Sequence, residues 1–225
     1  MARELVLNLH GVGVPHDSIG AEESFFWVTR QAFTMLLDCI VAADATANIP
    51  TIITFDDGNA SDVTIALPEL VKRRLKATFF VCAGRIGASF YLDRVAIADL
   101  LAAEMEIGSH GMDHRDWRQL DEAALDSELS EARRRIEDLC GKSVTKAAIP
   151  FGSYDRRVLA RVRREGFECV YTSDRGLARS EAWLKPRDTM DSTWLEADIK
   201  RILSVRPSLK ACLRRNAAML YKRLR

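Results

Sequence analysis

The sequence predicts a single α/β domain built on a parallel sheet, and two patterns along the chain support this. Short apolar, β-prone runs alternate with longer segments of helical period, which is the element order of a parallel α/β protein. Several short runs are apolar throughout, as expected for strands that helices cover on both faces. With 225 residues, 48% of them hydrophobic, the chain can bury one large core without disulfides or structural metals.

The predicted elements follow in order along the chain. Strands are predicted at Leu5–His10, Thr51–Phe55, Ala77–Cys82, Glu106–Ser109, Lys146–Ile149, Cys169–Thr172 and Trp183–Pro186. Helices are predicted around the apolar stripe Phe33–Val41 and at Ser61–Arg74, Asp93–Ala103, Asp121–Gly141, Asp155–Glu165 and Asp191–Leu203. Seven strands alternating with helices fit either an incomplete barrel or an open sheet, and the residues alone leave both possible.

Charge and cysteine content exclude several classes of protein. A net charge of +1 argues against a nucleic-acid binder that uses its whole surface, so no nucleic-acid partner is expected. The five cysteines are odd in number and lack C-x-x-C spacing, which argues against a disulfide framework or a zinc knuckle. The first residues lack the apolar segment of a signal peptide, so we expect a cytoplasmic protein.

Polar side chains follow the predicted strands at one end. The first strand ends in His10, the second runs into Asp56-Asp57-Gly58, and the fourth leads to His110 and His114. Residues at the carboxyl ends of parallel strands converge on one face, so these groups are predicted to share one rim. One carboxylate with two imidazoles is a common ligand set for a divalent metal that keeps open positions. The alternative is that the aspartates form a turn and the histidines lie on the surface.

Two other motif interpretations fail. His110-Gly111-Met112-Asp113-His114 has the outer spacing of a zincin helix but lacks its glutamate, so that mechanism would have no general base. The segment from Gly11 to His16 begins like a dinucleotide-binding loop, but its sixth position is His and a proline interrupts the helix start.

Three segments resemble the motifs of the polysaccharide deacetylases with the NodB-type domain, carbohydrate esterase family 4. Thr54-Phe55-Asp56-Asp57-Gly58 resembles the first motif, and His110-Gly111-Met112-Asp113-His114 resembles the H-S/T-x-x-H motif with Gly111 in place of Ser or Thr. Pro150-Phe151-Gly152-Ser153-Tyr154 resembles part of the third motif. The resemblance covers roughly Leu5 to Arg187.

The resemblance implies a distorted (β/α)7 barrel that hydrolyses the acetamido group of an N-acetylhexosamine in a saccharide or glycolipid. By this analogy Asp57, His110 and His114 hold a divalent metal, most often Zn2+, with Co2+ or Ni2+ also possible. Asp56 is then the general base. The segment of Phe151, Gly152 and Tyr154 contacts the substrate, and a backbone N–H near Phe151 holds the oxyanion.

Two departures from the motifs bring in two further residues. The family's late catalytic histidine is missing, because no histidine follows His114, and His10 is its natural replacement as the acid that protonates the leaving amine. The chain then resembles the circularly permuted branch of the family; the alternative is a core histidine bonded to backbone. Ala148 stands where the third motif usually has an Arg that orients the aspartate. Arg187 could replace that Arg, although it could equally be a surface residue.

The C-terminal residues are predicted as a separate element after a barrel of residues 1–205. Residues 206–225 read as a basic amphipathic helix, with Leu209, Leu213, Ala217, Leu220 and Leu224 on one face. Such a helix can bind an anionic membrane surface, which would place the protein at the inner face of the membrane and make a lipid-linked sugar an attractive substrate. Packing on the acidic body of its own domain is the alternative.

Two other functions are open on the sequence alone. The first is hydrolysis of another amide, such as a cyclic amide or a formamide, because the motif Arg is missing at Ala148. The second is a non-catalytic carbohydrate-binding relative, which the complete set of metal ligands and base disfavours.

Overall fold

A sheet of parallel strands forms the centre of the protein. The computed structural model describes residues 2–17, 19–44, 49–204, 219–222 and 224. Its strands are β1 (Arg3–Leu9), β2 (Gly11–Val12), β3 (Trp27–Val28), β4 (Thr51–Phe55), β5 (Ala77–Val81), β6 (Glu106–Ser109), β7 (Lys146–Ala148), β8 (Cys169–Thr172), β9 (Ala178–Arg179), β10 (Leu184–Pro186) and β11 (Asp188–Thr189). Each of the seven predicted strands is present, with ends that differ from the prediction by two residues at most.

Helices connect most of these strands. They are α1 (Ala21–Ser24), α2 (Arg30–Asp44), α3 (Leu67–Lys72), α4 (Arg94–Ala102), α5 (Glu122–Asp126), α6 (Ala132–Cys140), α7 (Arg156–Arg164) and α8 (Glu196–Ser204). The π-helical turns Asp62–Ala66 and Ser127–Glu131 lead into α3 and α6. Asp93, Asp121 and Asp155 each cap a helix by accepting a backbone N–H three residues on, which satisfies one of the free donors at the helix start.

The prediction was wrong about the start of the last helix. It was expected from Asp191, but α8 begins at Glu196. The Asp191 carboxylate instead accepts a hydrogen bond from the backbone N–H of Thr193, two residues on. This local bond offers the backbone an alternative to the helix, as aspartates at turns commonly do.

The sheet closes on itself through the last strands. Its order is β10-β8-β7-β6-β5-β4-β1-β11, with parallel pairing at every step of this path. β10 at one edge and β11 at the other are separated in the chain by Arg187 alone. One extended stretch therefore joins the two edges and completes a ring of seven strands. This confirms the predicted distorted (β/α)7 barrel and excludes the open sheet.

Alternation along β1 separates the outer core from the barrel interior. Leu5, Leu7 and Leu9 belong to the large apolar cluster shared with the surrounding helices, whereas Val6 belongs to a smaller cluster with Phe80 and Tyr171. A strand sends successive side chains to opposite faces, so Asn8 lies on the same side as Val6, inside the barrel. Asn8 is fully buried, and it marks the level at which the apolar interior becomes a polar site.

The C-terminal prediction falls mostly outside the described residues. Residues 206–218, 223 and 225 of the predicted amphipathic helix are not described; residues 219–222 are helical. Met219 is buried, and Lys222 Nζ lies 2.6 Å from an Asp174 carboxylate oxygen of the barrel. The described part of this segment thus contacts its own domain. Within the described part of the chain, no helix has the length and apolar character needed to cross a bilayer.

Candidate active site

A cavity of about 700 Å³ opens at the carboxyl ends of the barrel strands. It is lined by six of the residues predicted from the sequence: His10, Asp56, Asp57, His110, His114 and Phe151. The short helix α1 adds Glu22 and Glu23, with Phe26 just after it. Three of the four histidines and the adjacent carboxylate pair are therefore brought to one rim, because they follow neighbouring parallel strands.

Three side chains in this cavity form a compact group of metal-ligand type. One oxygen or nitrogen of Asp57, His110 and His114 lies within 4.8 Å of each of the others. The Asp57 Oδ1 atom is 3.5 Å from His114 Nε2 and 3.8 Å from His110 Nε2. Both Asp57 carboxylate oxygens are buried and accept no hydrogen bond from the described residues. A buried carboxylate without donors is costly unless a cation completes it, so the group fits a divalent metal.

Two residues of this group have backbone conformations that are unfavourable on their own and that surrounding contacts must maintain. Asp57 has φ of 75° and His114 has φ of 56°, both in the left-handed region that is uncommon for residues with a side chain. Each such residue costs on the order of 1–3 kcal/mol and is typical of functional sites. Gly58 continues the turn with φ of 71°, and a Cβ atom there would lie 3.1 Å from Val81 Cγ1. The sharp turn after β4 is what aims Asp57 into the cavity.

His110 is oriented by a neighbouring strand. Its Nδ1 atom lies 2.9 Å from the Ala148 carbonyl oxygen at the end of β7. A carbonyl only accepts, so Nδ1 carries the hydrogen and Nε2 presents its lone pair to the cluster, as in many metal-binding histidines. Burial lowers the pKa of His110 to about 4, which outweighs the opposing effect of Asp56 and keeps the imidazole neutral.

Asp56 and Arg187 form a buried, bidentate ion pair. Arg187 Nη1 donates to Asp56 Oδ1 and Nη2 donates to Oδ2, both at 2.7 Å. Asn8 Nδ2 donates to the same Oδ2 at 2.9 Å. Burial raises the pKa of Asp56, but the charge and hydrogen bonds of Arg187, together with the smaller effects of His110 and His10, lower it by more in total, so the net pKa lies well below its ordinary value. Asp56 is thus held as a carboxylate with a fixed orientation.

Arg187 lies beside Asp56 at the rim of the barrel, and two further polar side chains contact it. Arg187 is fully buried, so the surface alternative does not hold. Its Nη1 also donates to Asn8 Oδ1 at 2.8 Å and lies 3.2 Å from Thr54 Oγ1. Asn8 was not predicted as a site residue from the sequence. The available signal was a polar residue within an otherwise apolar strand, on its inward-facing side.

His10 lies at the seam of the barrel, where the first and last strands meet. β1 pairs with β4 on one side and with β11 on the other, and His10 follows it directly. The His10 ring is 5.0 Å from that of Phe26, and its buried Nδ1 atom has no hydrogen-bond partner among the described residues. His10 also lines the cavity that contains Asp56 and the three metal-type ligands.

The residues predicted to contact substrate occupy three different environments. Phe151 is 64% exposed, lines the cavity and lies 4.5 Å from the His114 ring between centroids. Gly152 is buried, and its N–H already donates to the Ile149 carbonyl. Tyr154 is buried as well, outside the cavity lining, with its hydroxyl donating to Asp174 at 2.7 Å. The structure therefore places only Phe151 where it can touch a ligand, and it gives Gly152 and Tyr154 supporting positions.

One ion-pair chain beside the metal-type group had no signal in the sequence. Arg85 Nη1 lies 3.6 Å from Asp57 Oδ1 and 3.4 Å from Glu23 Oε1. Arg85 follows β5, and Glu23 belongs to α1, so their approach depends on how two separate loops pack. The Arg85 guanidinium thus connects α1, through Glu23, with Asp57.

Comparison with known proteins defines the class first by fold. The chain superposes on a Streptococcus pyogenes deacetylase, PplD, with a TM-score of 0.77 at 18% identity, covering 91% of this chain and 99% of that one. IcaB from Ammonifex degensii gives a TM-score of 0.76 at 20% identity, over 91% and 98% of the two chains. The fold is thus that of deacetylase barrels.

Sequence comparison then identifies the family. The profile of the polysaccharide deacetylase family matches residues 44–170, more than half of the chain, so this protein belongs to that family. A chitooligosaccharide deacetylase of Azorhizobium caulinodans is 29% identical over 132 residues, 57% of this chain and 61% of the relative. The peptidoglycan-N-acetylglucosamine deacetylase of Listeria monocytogenes is 28% identical over 107 residues, 47% and 22% of the two chains. Matches to the curated relatives span only 22% to 61% of those proteins' own lengths.

Proposed function

We propose that this protein is a metal-dependent de-N-acetylase acting on N-acetylhexosamine units of a saccharide. The observation that carries the proposal is the group of Asp57, His110 and His114 beside the Asp56–Arg187 pair in one cavity. The ligand set of one carboxylate and two imidazoles suits Zn2+, and also Co2+ or Ni2+. Bound there, the metal would polarise the acetyl carbonyl and make a water molecule more acidic.

In this proposal Asp56 is the general base. It is adjacent to Asp57, and its Oδ2 atom lies 3.8 Å from His110 Nε2, so it can reach a water at the metal-type group. Arg187 keeps it ionised and fixes both of its oxygens, which makes Arg187 a positioning residue. A base must be deprotonated and correctly placed before the reaction starts, and this pair meets both requirements. The backbone near Phe151 is the proposed donor to the oxyanion.

His10 is the proposed general acid. An amine leaves poorly without a proton, and His10 is the histidine lining the cavity that is not one of the proposed metal ligands. Its place at the end of β1, beside β11, supports the assignment to the permuted branch of the family. That assignment is part of the proposal.

A saccharide is the proposed substrate because of the cavity's size and walls. About 700 Å³ accommodates a sugar unit, and Phe26 and Phe151 offer apolar surfaces on its walls. Two relatives are named for N-acetylated glycans, a chitooligosaccharide and peptidoglycan. A lipid-linked sugar, cytoplasmic location and binding of an anionic membrane also remain proposals. Flotation with anionic liposomes tests the proposed membrane binding.

Metal content and acetate release test the main proposal together. Zinc-loaded protein is expected to release acetate from N-acetylglucosamine oligomers, and Asp57→Ala is expected to lose both bound metal and turnover. The exposed Asp138→Ala serves as the control and should match wild type. The proposal is wrong if protein loaded with zinc, cobalt or nickel releases no acetate, or if Asp57→Ala keeps full activity.

A second variant tests the acid. His10→Ala is expected to keep its metal while kcat falls by about 10²- to 10⁴-fold, the usual contribution of a general acid. Unchanged kcat in His10→Ala would exclude His10 from proton transfer.

A further inference from the structure

The loop from His110 to His114 carries two of the three proposed metal ligands, and it is held on one side by the loop that follows β5. The backbone N–H groups of Ala83 and Gly84 donate to the carbonyl oxygens of Gly111 and Met112, at 2.9 and 2.8 Å. These bonds satisfy two carbonyl groups in the middle of the loop. The N–H groups of Met112 and Asp113 have a different partner.

Glu128, in the π-helical turn Ser127–Glu131, is that partner. Its Oε2 atom accepts the Met112 N–H and its Oε1 atom accepts the Asp113 N–H, both at 3.0 Å. The indole N–H of Trp117 donates to Oε2 at 3.2 Å. Glu128 is 1% exposed and makes no ion pair within the part of the chain that the structure describes. A buried carboxylate of this kind is stable only because N–H donors surround it, so its position and the loop's conformation depend on each other.

The conformation fixed in this way is one that the loop would not adopt alone. His114 follows Asp113 directly and has φ of 56°. Left-handed backbone at a histidine persists only where surrounding contacts determine it. Two consecutive N–H groups bound to the two oxygens of one carboxylate fix the peptide planes just before His114. The direction in which its imidazole points therefore follows from Glu128.

Gly111 gives independent evidence that Glu128 and the loop fit closely. A Cβ atom at Gly111 would lie 2.3 Å from Glu128 Oε2, far inside contact distance, and its φ is +86°. The space beside Gly111 is thus filled by the glutamate carboxylate. This gives a physical reason for glycine where the resembled motif has Ser or Thr.

We propose that Glu128 is a positioning residue of the metal centre, which holds His110 and His114 in ligand geometry through the backbone of their loop. The inference rests on the proposed metal site and adds a residue that touches neither metal nor substrate. Removing a group that orients metal ligands typically lowers metal affinity 10- to 100-fold, and we expect a loss of this size.

The test measures metal binding without substrate. Zn2+ affinity is determined by competition with a chromophoric chelator, and the visible spectrum of the Co2+ form reports the geometry of its ligands. Glu128→Gln keeps one acceptor oxygen and should weaken zinc binding about 10-fold, while Glu128→Ala should approach 100-fold. The control is Glu131→Gln, an exposed glutamate of the same turn, which should leave affinity and spectrum unchanged.

Two results would separate positioning from a merely structural role. If Glu128→Ala lowers only the free energy of unfolding, with zinc affinity within threefold of wild type and an unchanged Co2+ spectrum, the proposal is overturned. If the alanine variant does not fold, the glutamine variant decides by the same criteria. Failure of wild type to release acetate would count against the proposed reaction but leave this comparison intact, whereas wild type that binds no zinc would overturn the metal site itself.

Discussion

At the scale of single residues, the site depends on a buried carboxylate that stays charged. Asp56 is almost fully buried, and burial alone would favour its neutral form. Arg187 makes the largest contribution against this, and its planar guanidinium donates to both carboxylate oxygens, an arrangement that a lysine cannot reproduce. Breaking a buried pair by removing one partner typically costs about 3–5 kcal/mol, since the remaining charge is left uncompensated.

Arg187→Lys separates the effect of the bidentate hydrogen bonds from the effect of the positive charge. The lysine keeps a positive charge near Asp56 but can bind only one oxygen at a time, so Asp56 loses its fixed orientation. We expect kcat to fall about 10²-fold, the size of effect that a displacement of about 1 Å produces, with zinc content unchanged. The exposed Arg179→Lys is the matched control. A variant that retains more than half of the wild-type kcat would show that orientation by Arg187 is unimportant.

Residues of this polar cluster differ in how far the sequence could reveal them. Asp56, Asp57, His110 and His114 could be predicted because strand ends converge in any parallel sheet. The pairing of Asn8 with Thr54 across β1 and β4 could not, because it depends on the register of two strands 46 residues apart. Glu128 gave no signal either, since a glutamate within a polar helical segment looks like a solvent-exposed residue.

At the scale of elements, the turn after β7 determines how the rim is shaped. Phe151 and Gly152 both have positive φ, at 58° and 59°. A Cβ atom at Gly152 would lie 2.8 Å from the backbone nitrogen of Ser173, which cannot move without disturbing the loop after β8. The glycine therefore allows this turn to pack against its neighbour with Phe151 in the cavity.

Gly152→Ala is expected to move the Phe151 turn and to lower kcat by on the order of 10²-fold, because the proposed oxyanion donor moves with it. Gly166→Ala is a matched control, since Gly166 has φ of +77° but open space where the Cβ would be. Both variants should lose about 1–2 kcal/mol of stability, because a residue with a Cβ atom is disfavoured in the left-handed region. Equal kcat in the two variants would show that close packing at Gly152 does not matter for catalysis.

The elements themselves were easier to predict than their interruptions. Continuous apolar runs identified the strands, and the cap at Asp121 and the stop at Gly141 bounded one helical segment correctly. The π-helical turn within that segment, Ser127–Glu131, was not foreseeable, because the apolar pattern continues through it. The division of the last strand at Arg187 was likewise hidden, since it arises only when the barrel closes.

At the scale of the whole molecule, one buried acid makes stability depend on pH. Asp62 is fully buried, and burial together with the charges of Asp57 and Asp56 raises its pKa well above the ordinary value. A carboxyl group with a raised pKa in the folded protein contributes stability that is present at acidic pH. That contribution is lost as the pH rises from the ordinary value near 3.8 through the raised pKa.

Asp62→Asn removes the titrating group at nearly constant shape, so the variant should be more stable than wild type. The difference should grow as the pH rises above the ordinary value near 3.8, by up to about 1.4 kcal/mol per pH unit until the raised pKa is passed. Urea unfolding of metal-free protein at several pH values measures this, with the exposed Asp138→Asn as control. A difference that stays constant or shrinks over this range would contradict a raised pKa.

The single stretch from β10 to β11 also bears on how the protein matures. During synthesis Asp56 leaves the ribosome more than a hundred residues before Arg187, and the two meet only when the last strand docks between β8 and β1. Until then the aspartate lacks its counter-ion and the arginine has no buried place to occupy. The buried Asp56–Arg187 pair therefore forms together with the last strand, and a chain that stops before β10 cannot contain it.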